Sequence, residues 1–178
     1  IRMKTRAYSI LCTDNDGVIV EGFDYFSSTF KLDDCDGSEI RNSTLLYPST
    51  SKRSLGFAGE DMDNRFVSRV YDCIGCLVDG CDFLYTDGAA FEAHGGASNS
   101  QNNTINNSYF YHIDWSGSDQ KSLMTTIMMD GTGNIFTNNT MHKTGTSATI
   151  RIGNSPQIMF NEVYDTAYLQ SDGTVVQM

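Results

Sequence analysis

The feature that most constrains this chain is a recurring phrase in which a short apolar run leads into asparagine. In most copies a small or β-branched residue and then a large apolar residue follow. The clearest copies lie at residues 104–109, 135–141 and 158–164, with looser copies at 38–45 and 76–83 and a weak one at 18–23. Repeats of this kind are typical of solenoid proteins, in which each repeat packs only against its neighbours.

Aligning the turn position of each copy gives one column of equivalent residues. Its members are Glu21, Arg41, Asp79, Asn106, Asn138 and Asn161. The spacing between them varies from 20 to 38 residues, so we expect loop insertions, at about residues 48–63 and 114–124. No stretch keeps a helical apolar period over three turns, which leaves a β-sandwich or a β-solenoid. The repeated asparagine favours the solenoid, because an inward asparagine can bond both its own turn and the amide of the next coil.

Residues 135–141 (Ile-x-x-Asn-x-Thr-Met) and 158–164 (Ile-x-x-Asn-x-Val-Tyr) resemble the repeat of the pectin-lyase-like superfamily. The resemblance implies that residues 1–178 form a single all-β domain, a right-handed parallel β-helix of about six coils. Members of that superfamily include polysaccharide lyases, glycoside hydrolases, esterases, phage tailspikes and non-catalytic surface proteins. The resemblance therefore specifies the fold more sharply than the function.

The two ends of the chain indicate a piece of a longer β-helix. The first residue is Ile1, with no methionine and no signal-like segment, and Met178 follows directly on a strand-like run. No window approaches 18 consecutive apolar residues, so no membrane span is expected.

Charge limits the classes of partner. Lys and Arg total 12 against 22 acidic residues, a net charge of −10, so nucleic acid is not an expected partner. Of the acidic residues 17 are Asp, which favours turns. The candidates for a Ca²⁺ site are Asp33, Asp34 and Asp36 in one cluster and Asp61 and Asp63 in another. Neither cluster has the EF-hand spacing, and no other cofactor is expected.

Sequons and cysteines favour a secreted, extracellular protein. The glycosylation sequons are those of Asn42, Asn102, Asn106 and Asn138. Cys35 and Cys73 each lie six residues before their column position. They should therefore stack on adjacent coils about 4.8 Å apart, which a disulfide tolerates. The alternative is a pair of buried, reduced cysteines.

One group of residues could supply an acid, a base and a sugar platform. Its members are Asp87, His94, His112, Asp114 and Trp115. Asp87 and Asp114 both fall eight residues after the column, so we expect them to be neighbours on an exposed face. Two close carboxylates would raise the pKa of one of them, which suits a glycosidase acid, and His112 could serve beside them. The alternative is that both aspartates only make turns.

A second group carries positive charge. Lys143 and Arg151, near His142 and Asp172, could provide the base and the uronate-neutralising cation of a lyase. Arg151-Ile152-Gly153 lacks the lysine of the polygalacturonase Arg-Ile-Lys motif, and the His-Gly-Gly at residues 94–96 differs from that family's Gly-His-Gly. These departures argue against a polygalacturonase. The alternative for the whole group is solvated surface charge.

Two functional hypotheses remain. The first is a secreted carbohydrate-related domain, glycosidase- or lyase-like, that binds or cleaves an extracellular polysaccharide. The second is a non-catalytic structural or adhesive glycoprotein that self-assembles into an extracellular filament, coat or surface layer. Whether the chain is an enzyme is left open by the sequence.

Overall fold

The computed structural model describes residues 8–49, 67–86, 88–95, 100–114, 125–145, 148–168 and 173–178. Every regular element within these ranges is a β-strand, as the missing helical period predicted. None of the described residues belongs to a helix long and apolar enough to cross a membrane. The predicted insertions at about residues 48–63 and 114–124 lie almost wholly outside the described residues.

The strands form three sheets, and successive strands along the chain enter the sheets in a fixed order. Sheet A contains β1 (Tyr8–Thr13), β4 (Thr29–Asp33), β7 (Ser68–Tyr71), β10 (Phe91–His94), β13 (Thr125–Thr132), β16 (Ala148–Asn154) and β19 (Thr174–Gln177). Sheet B contains β2 (Ile19–Glu21), β5 (Glu39–Arg41), β8 (Leu77–Asp79), β11 (Thr104–Asn106), β14 (Ile135–Thr137) and β17 (Gln157–Met159). Sheet C contains β3 (Asp24–Phe26), β6 (Thr44–Leu46), β9 (Asp82–Thr86), β12 (Tyr109–Ile113), β15 (Thr140–Thr144) and β18 (Glu162–Tyr164).

All strand pairs in these sheets are parallel, and each strand pairs with the strand three places along the chain. In sheet A, for example, β4 lies between β1 and β7. A β-sandwich would instead pair its strands mainly in antiparallel fashion. The arrangement is consistent with a parallel β-helix, a solenoid in which three short strands form the repeating unit.

The predicted column of equivalent positions is confirmed in the first part of the chain. Glu21 pairs with Arg41, Arg41 with Asp79, and Asp79 with Asn106. All four are the last residues of their sheet B strands. The repeat phrase therefore located the end of the sheet B strand in successive repeats.

Farther along, the predicted register, which is good to about one residue, is wrong at Asn161. Asn106 pairs with Thr137, and Thr137 with Met159, so the column slips by one residue at Asn138 and by two at Asn161. The reason is that asparagine suits two neighbouring positions of the turn after the strand. It tolerates the left-handed conformation at the exposed position and can bond backbone at the inward one. The sequence pattern alone does not distinguish the two.

The core lies between the three sheets and is built from inward columns. In the three-residue strands of sheet B the middle residue points inward, as in Ile40, Ile105 and Phe136, which are all fully buried. In sheet C, Phe110 stacks on Phe83 with ring centroids 4.8 Å apart and contacts Phe136 at 6.0 Å. Ring stacking across neighbouring strands stabilises the core beyond the contribution of the area that each phenylalanine buries.

Buried asparagines join successive repeats at the turn between sheets A and B. The side-chain oxygen of Asn103 accepts the N–H of Cys76 at 2.9 Å, and its side-chain amide donates to the carbonyl of Cys73 at 3.0 Å. Asn134 accepts the N–H of Asn103 at 3.0 Å. Each of these side chains thus reaches the preceding coil and bonds backbone groups of its turn.

A second buried ladder lies at the turn between sheets B and C. Asn139 accepts the N–H of Ser108 at 2.9 Å and donates to the carbonyl of Ile105 at 3.0 Å. Asn161 accepts the N–H of Asn139 at 2.8 Å, and the Ser108 hydroxyl accepts the N–H of Cys81 at 3.1 Å. The prediction that recurring asparagines serve the scaffold is confirmed for Asn139 and Asn161.

Cys35 and Cys73 lie on adjacent turns, as their spacing predicted, but the predicted disulfide between them is not formed. All five cysteines are free thiols. The sulfur of Cys73 accepts the backbone N–H of Cys35 at 3.2 Å. The sulfur of Cys35 instead contacts the sulfur of Cys12 at 3.0 Å. The stacking is therefore real, whereas the side chain of Cys35 is directed toward a different cysteine.

Candidate functional site

The corner at which the sheet C strands end concentrates the unusual residues of this chain. Tyr47, Tyr85, His112, Lys143 and Asp165 occupy successive copies of one left-handed position, with φ between 54° and 59°. Asparagine and glycine adopt this conformation readily, but residues with bulky side chains are strained in it. Such strain persists where the surrounding structure imposes it, and it clusters at functional sites. This corner is therefore the candidate functional site.

Aromatic rings run along this corner from coil to coil. We call this set the aromatic stripe; it consists of Phe26, Tyr47, Tyr85, Tyr111, His142 and Tyr164. Successive rings lie 4.3–5.9 Å apart, closest between His142 and Tyr164, which stack. Tyr47, Tyr85 and Tyr164 keep 46%, 40% and 45% of their surface exposed. The stripe thus presents a continuous, solvent-accessible row of aromatic rings.

Polar groups gather at one end of the stripe. The ring nitrogen Nε2 of His142 lies 3.1 Å from Oδ2 of Asp165, and Nζ of Lys143 donates to the Tyr111 hydroxyl at 3.3 Å. Nζ also lies 5.4 Å from the centre of the Tyr111 ring. We call Tyr111, His142, Lys143 and Asp165 the corner cluster. It combines an imidazole held by a carboxylate with a phenol held by an ammonium group.

The electrostatics of the corner cluster favour a permanent positive charge. The hydrogen bond to Tyr111 raises the pKa of Lys143 above its usual range. The ammonium group is therefore charged at neutral pH and can meet a carboxylate or sulfate. Histidine is the side chain best suited to exchange protons near pH 7, and Asp165 can orient the His142 ring. The cluster has the groups that proton transfer beside an anion requires.

No protein-family model matches the chain, and no curated protein or solved structure matches it. Because one fold hosts many functions, the function has to be argued from the site. The relevant facts are the exposed rings, the charged lysine and the histidine–carboxylate pair.

The structure brings together two residues that the sequence placed in different groups. His112 belonged to the aspartate group and Lys143 to the basic group, yet they occupy equivalent positions in neighbouring repeats. The His112 ring lies 5.3 Å from the Tyr85 ring and 6.0 Å from the Tyr111 ring. His112 therefore flanks the aromatic stripe.

Of the two aspartates expected to be neighbours, only Asp114 lies within the described residues. Asp114 is completely buried, not on the exposed face expected for it. Its backbone N–H donates to the carbonyl of Thr86 at 2.9 Å, so it belongs to the turn that leaves sheet C. Asp87 and Trp115 lie outside the described residues. A catalytic role for Asp87 and Asp114, and a sugar contact for Trp115, stay predictions.

The other two predicted binding residues lie on sheet A, away from the stripe. The His94 ring contacts the Tyr71 ring edge-on at 5.1 Å, and the Arg151 side chain lies 3.3 Å from Asp130. Also on sheet A, Arg69 of β7 and Glu92 of β10 form a buried ion pair at 2.9 Å. Sequence reasoning missed this pair, although Arg69 and Glu92 are each the second residue of a sheet A strand.

Sequence reasoning also missed the tyrosines of the stripe. Tyr111 and Tyr164 occupy one column of sheet C, and Tyr47 and Tyr85 occupy the next position at its end. The amino-acid sequence does contain a pattern that marks them, since an aromatic residue follows an apolar one near the end of several repeats. It could be used only after the sheet C register was known.

The predicted glycosylation and calcium sites have mixed surroundings. Asn42, Asn102 and Asn138 are exposed, and Asn106 is half-buried, so glycosylation at these residues stays a prediction.

In the first predicted calcium cluster, Asp36 accepts the N–H of Ile74 at 2.7 Å. The described ranges contain no group of three or more side chains placed to hold a metal ion. Asp61 and Asp63 lie outside them.

Proposed function

We propose that this chain is a secreted carbohydrate-related domain that binds an extracellular polysaccharide along the aromatic stripe. In this proposal the fold is a right-handed parallel β-helix of about six coils, of the pectin-lyase-like type. The observation that carries the proposal is the exposed row of rings running from Phe26 to Tyr164 across successive coils.

A polysaccharide suits this surface for physical reasons. A row of rings repeated at the strand spacing of about 4.8 Å forms a long, narrow platform, which matches an extended chain better than a compact ligand. Tyrosine offers an apolar face and a polar tip, and a sugar ring likewise has apolar faces and hydroxyl edges. Lys143 adds one fixed positive charge, so an acidic or sulfated sugar would be preferred at that end of the stripe.

The corner cluster supports a lyase-like reaction on such a substrate. For a uronate, the neutral imidazole of His142 would take the proton from the carbon beside the carboxylate while Lys143 offsets the carboxylate charge. The electron pair left on that carbon forms the new double bond, and the glycosidic oxygen leaves with the bonding pair. That oxygen takes up the proton from the imidazolium, which returns His142 to its neutral form. Asp165 would stabilise the imidazolium that forms.

Removing rings from the stripe is expected to weaken polysaccharide binding. We expect Tyr85→Ala and Tyr111→Ala each to lower affinity for an acidic polysaccharide roughly tenfold, because each deletes one stacking surface. Affinity electrophoresis or calorimetry with matched neutral, uronate and sulfated polymers would measure this. Phe160→Ala is the control, since Phe160 is 82% exposed but lies outside the stripe. Equal losses in all three variants would contradict a role for the stripe.

If the domain is catalytic, activity should depend on the corner cluster. We expect His142→Ala to reduce turnover roughly a hundredfold or more, a larger loss than the roughly tenfold loss of affinity expected from deleting one ring of the stripe, because proton transfer is removed as well. Ultraviolet absorbance of the unsaturated product would follow the reaction. Unchanged turnover in His142→Ala would exclude His142 as the base and leave Asp87 and Asp114 as the candidate catalytic residues.

The alternative is a non-catalytic structural or adhesive building block. It is favoured by apolar side chains that are exposed among the described residues, including Phe160, Tyr164 and Val175. A neighbouring molecule could cover them. Absence of turnover on any polymer, together with concentration-dependent filaments in electron micrographs, would select this alternative.

A further inference from the structure

Four of the five cysteines lie close together where the strands of sheet A end and the turns to sheet B begin. The sulfur of Cys35 lies 3.0 Å from that of Cys12, and the Cys35 N–H donates to the sulfur of Cys73 at 3.2 Å. Cys76 donates its thiol to the carbonyl of Cys35 at 3.1 Å. The four thiols belong to three successive repeats. Cys81 lies apart from them, at the turn between sheets B and C.

Accessibility distinguishes the members of this group. Cys12 is half-buried, whereas Cys35, Cys73 and Cys76 are buried. An external reagent can therefore reach Cys12 most easily, and it would meet Cys35 next.

We propose that Cys12 and Cys35 are a site of oxidative modification and form a disulfide with each other, not Cys35 with Cys73. Their sulfurs need to approach by only about 1 Å to reach bonding distance. The sulfur of Cys73 faces the backbone N–H of Cys35 and also contacts the carbonyl of Tyr71 at 3.1 Å. Forming a bond from Cys35 to Cys73 would disrupt those contacts.

The oxidant in this proposal is a small disulfide such as oxidised glutathione. The Cys12 thiolate attacks one sulfur of the oxidant, which breaks its S–S bond and releases one thiolate. The Cys35 thiolate then attacks the Cys12 sulfur of the mixed disulfide and releases the second. Two cysteine thiols lose two electrons, the oxidant gains them, and the two protons end on the two released thiols.

Thiol ionisation gives the reaction a defined pH dependence. Burial, together with the neighbouring Cys35 thiol, raises the pKa of Cys12 to about 11. Because the thiolate is the nucleophile, the reactive fraction of Cys12 rises nearly tenfold per pH unit below that value. Oxidation should therefore be slow at pH 7 and should accelerate up to about pH 11.

Peptide mapping of the intact chain tests the proposal directly. The folded protein is incubated with oxidised glutathione at pH 8.5, quenched with acid, denatured, alkylated without reductant and digested. We expect a cross-linked peptide joining Cys12 to Cys35, with Cys73, Cys76 and Cys81 recovered alkylated. Alkylation of all five cysteines, or a Cys35–Cys73 cross-link, would overturn the proposal.

Two variants and a melting curve complete the test. Cys12→Ser should abolish the cross-link, and the matched control Cys81→Ser should retain it. Oxidation should raise Tm of the wild type by roughly 5–10 °C, because the bond closes a loop that spans β1 and β4. The melting temperature of Cys12→Ser should not change with oxidant. A cross-link to Cys35 that survives in Cys12→Ser would refute the assignment.

Discussion

Phe110→Ala is expected to destabilise the fold by about 3–5 kcal/mol. Phe110 is fully buried, and it stacks on Phe83 at 4.8 Å with an interplanar angle of 10°. It also contacts Phe136 at 6.0 Å, so its removal leaves a cavity between two aromatic neighbours. In a solenoid each repeat packs on the next, so the cavity weakens the packing against both neighbouring coils. Urea unfolding followed by circular dichroism would measure the change.

The control for this prediction is the exposed Phe160. Phe160→Ala removes the same atoms from a side chain that is 82% exposed, and we expect a change within about 0.5 kcal/mol. A similar midpoint for Phe110→Ala and Phe160→Ala would mean that the aromatic column is not part of the cooperative core. A smaller urea slope in Phe110→Ala would indicate that the repeats have begun to unfold separately.

Asn139→Ala is the second large effect, expected to cost roughly 3–5 kcal/mol. The change removes the acceptor for the N–H of Ser108 and the donor to the carbonyl of Ile105. Both backbone groups lie in a buried turn, and each orphaned group costs about 1–3 kcal/mol. Thermal and urea unfolding would report the loss, and hydrogen exchange should show it concentrated at the Ser108 amide.

The adjacent Asn138 provides a matched control. Asn138 is exposed, has φ of 54°, and donates to the side chain of Asn106 at the surface. Asn138→Gly keeps the left-handed conformation available, so we expect a change of about 1 kcal/mol or less. Equal destabilisation by Asn138→Gly and Asn139→Ala would refute the distinction between surface and buried asparagines.

Much of the architecture could be predicted from the sequence, because the repeat is a local pattern. Alternating apolar residues and turn-forming Asn and Asp report strands and corners without knowledge of distant contacts. The all-β class, the parallel solenoid arrangement and the pairing of Glu21, Arg41, Asp79 and Asn106 followed from it. The slip at Asn138 arose where two adjacent asparagines satisfied the same pattern.

The candidate site was less predictable, because it depends on contacts between repeats. His112 and Lys143 were singled out for their chemistry, but their common position at one corner required the register of sheet C. The contact between Cys12 and Cys35 was missed because Cys12 lies on a strand and Cys35 in a turn. Equal spacing from a column finds only residues at equivalent positions.

The sequence by itself determined that this chain builds parallel coils whose turns are held by asparagine. That information is local, because residue type, apolar period and turn propensity specify each repeat, and the same pattern recurs along the chain. Only the tertiary structure decided which side chains meet, since contacts between coils depend on loop lengths and on one-residue shifts in register. For that reason the sequence alone does not predict the aromatic stripe, the corner cluster or the Cys12–Cys35 contact.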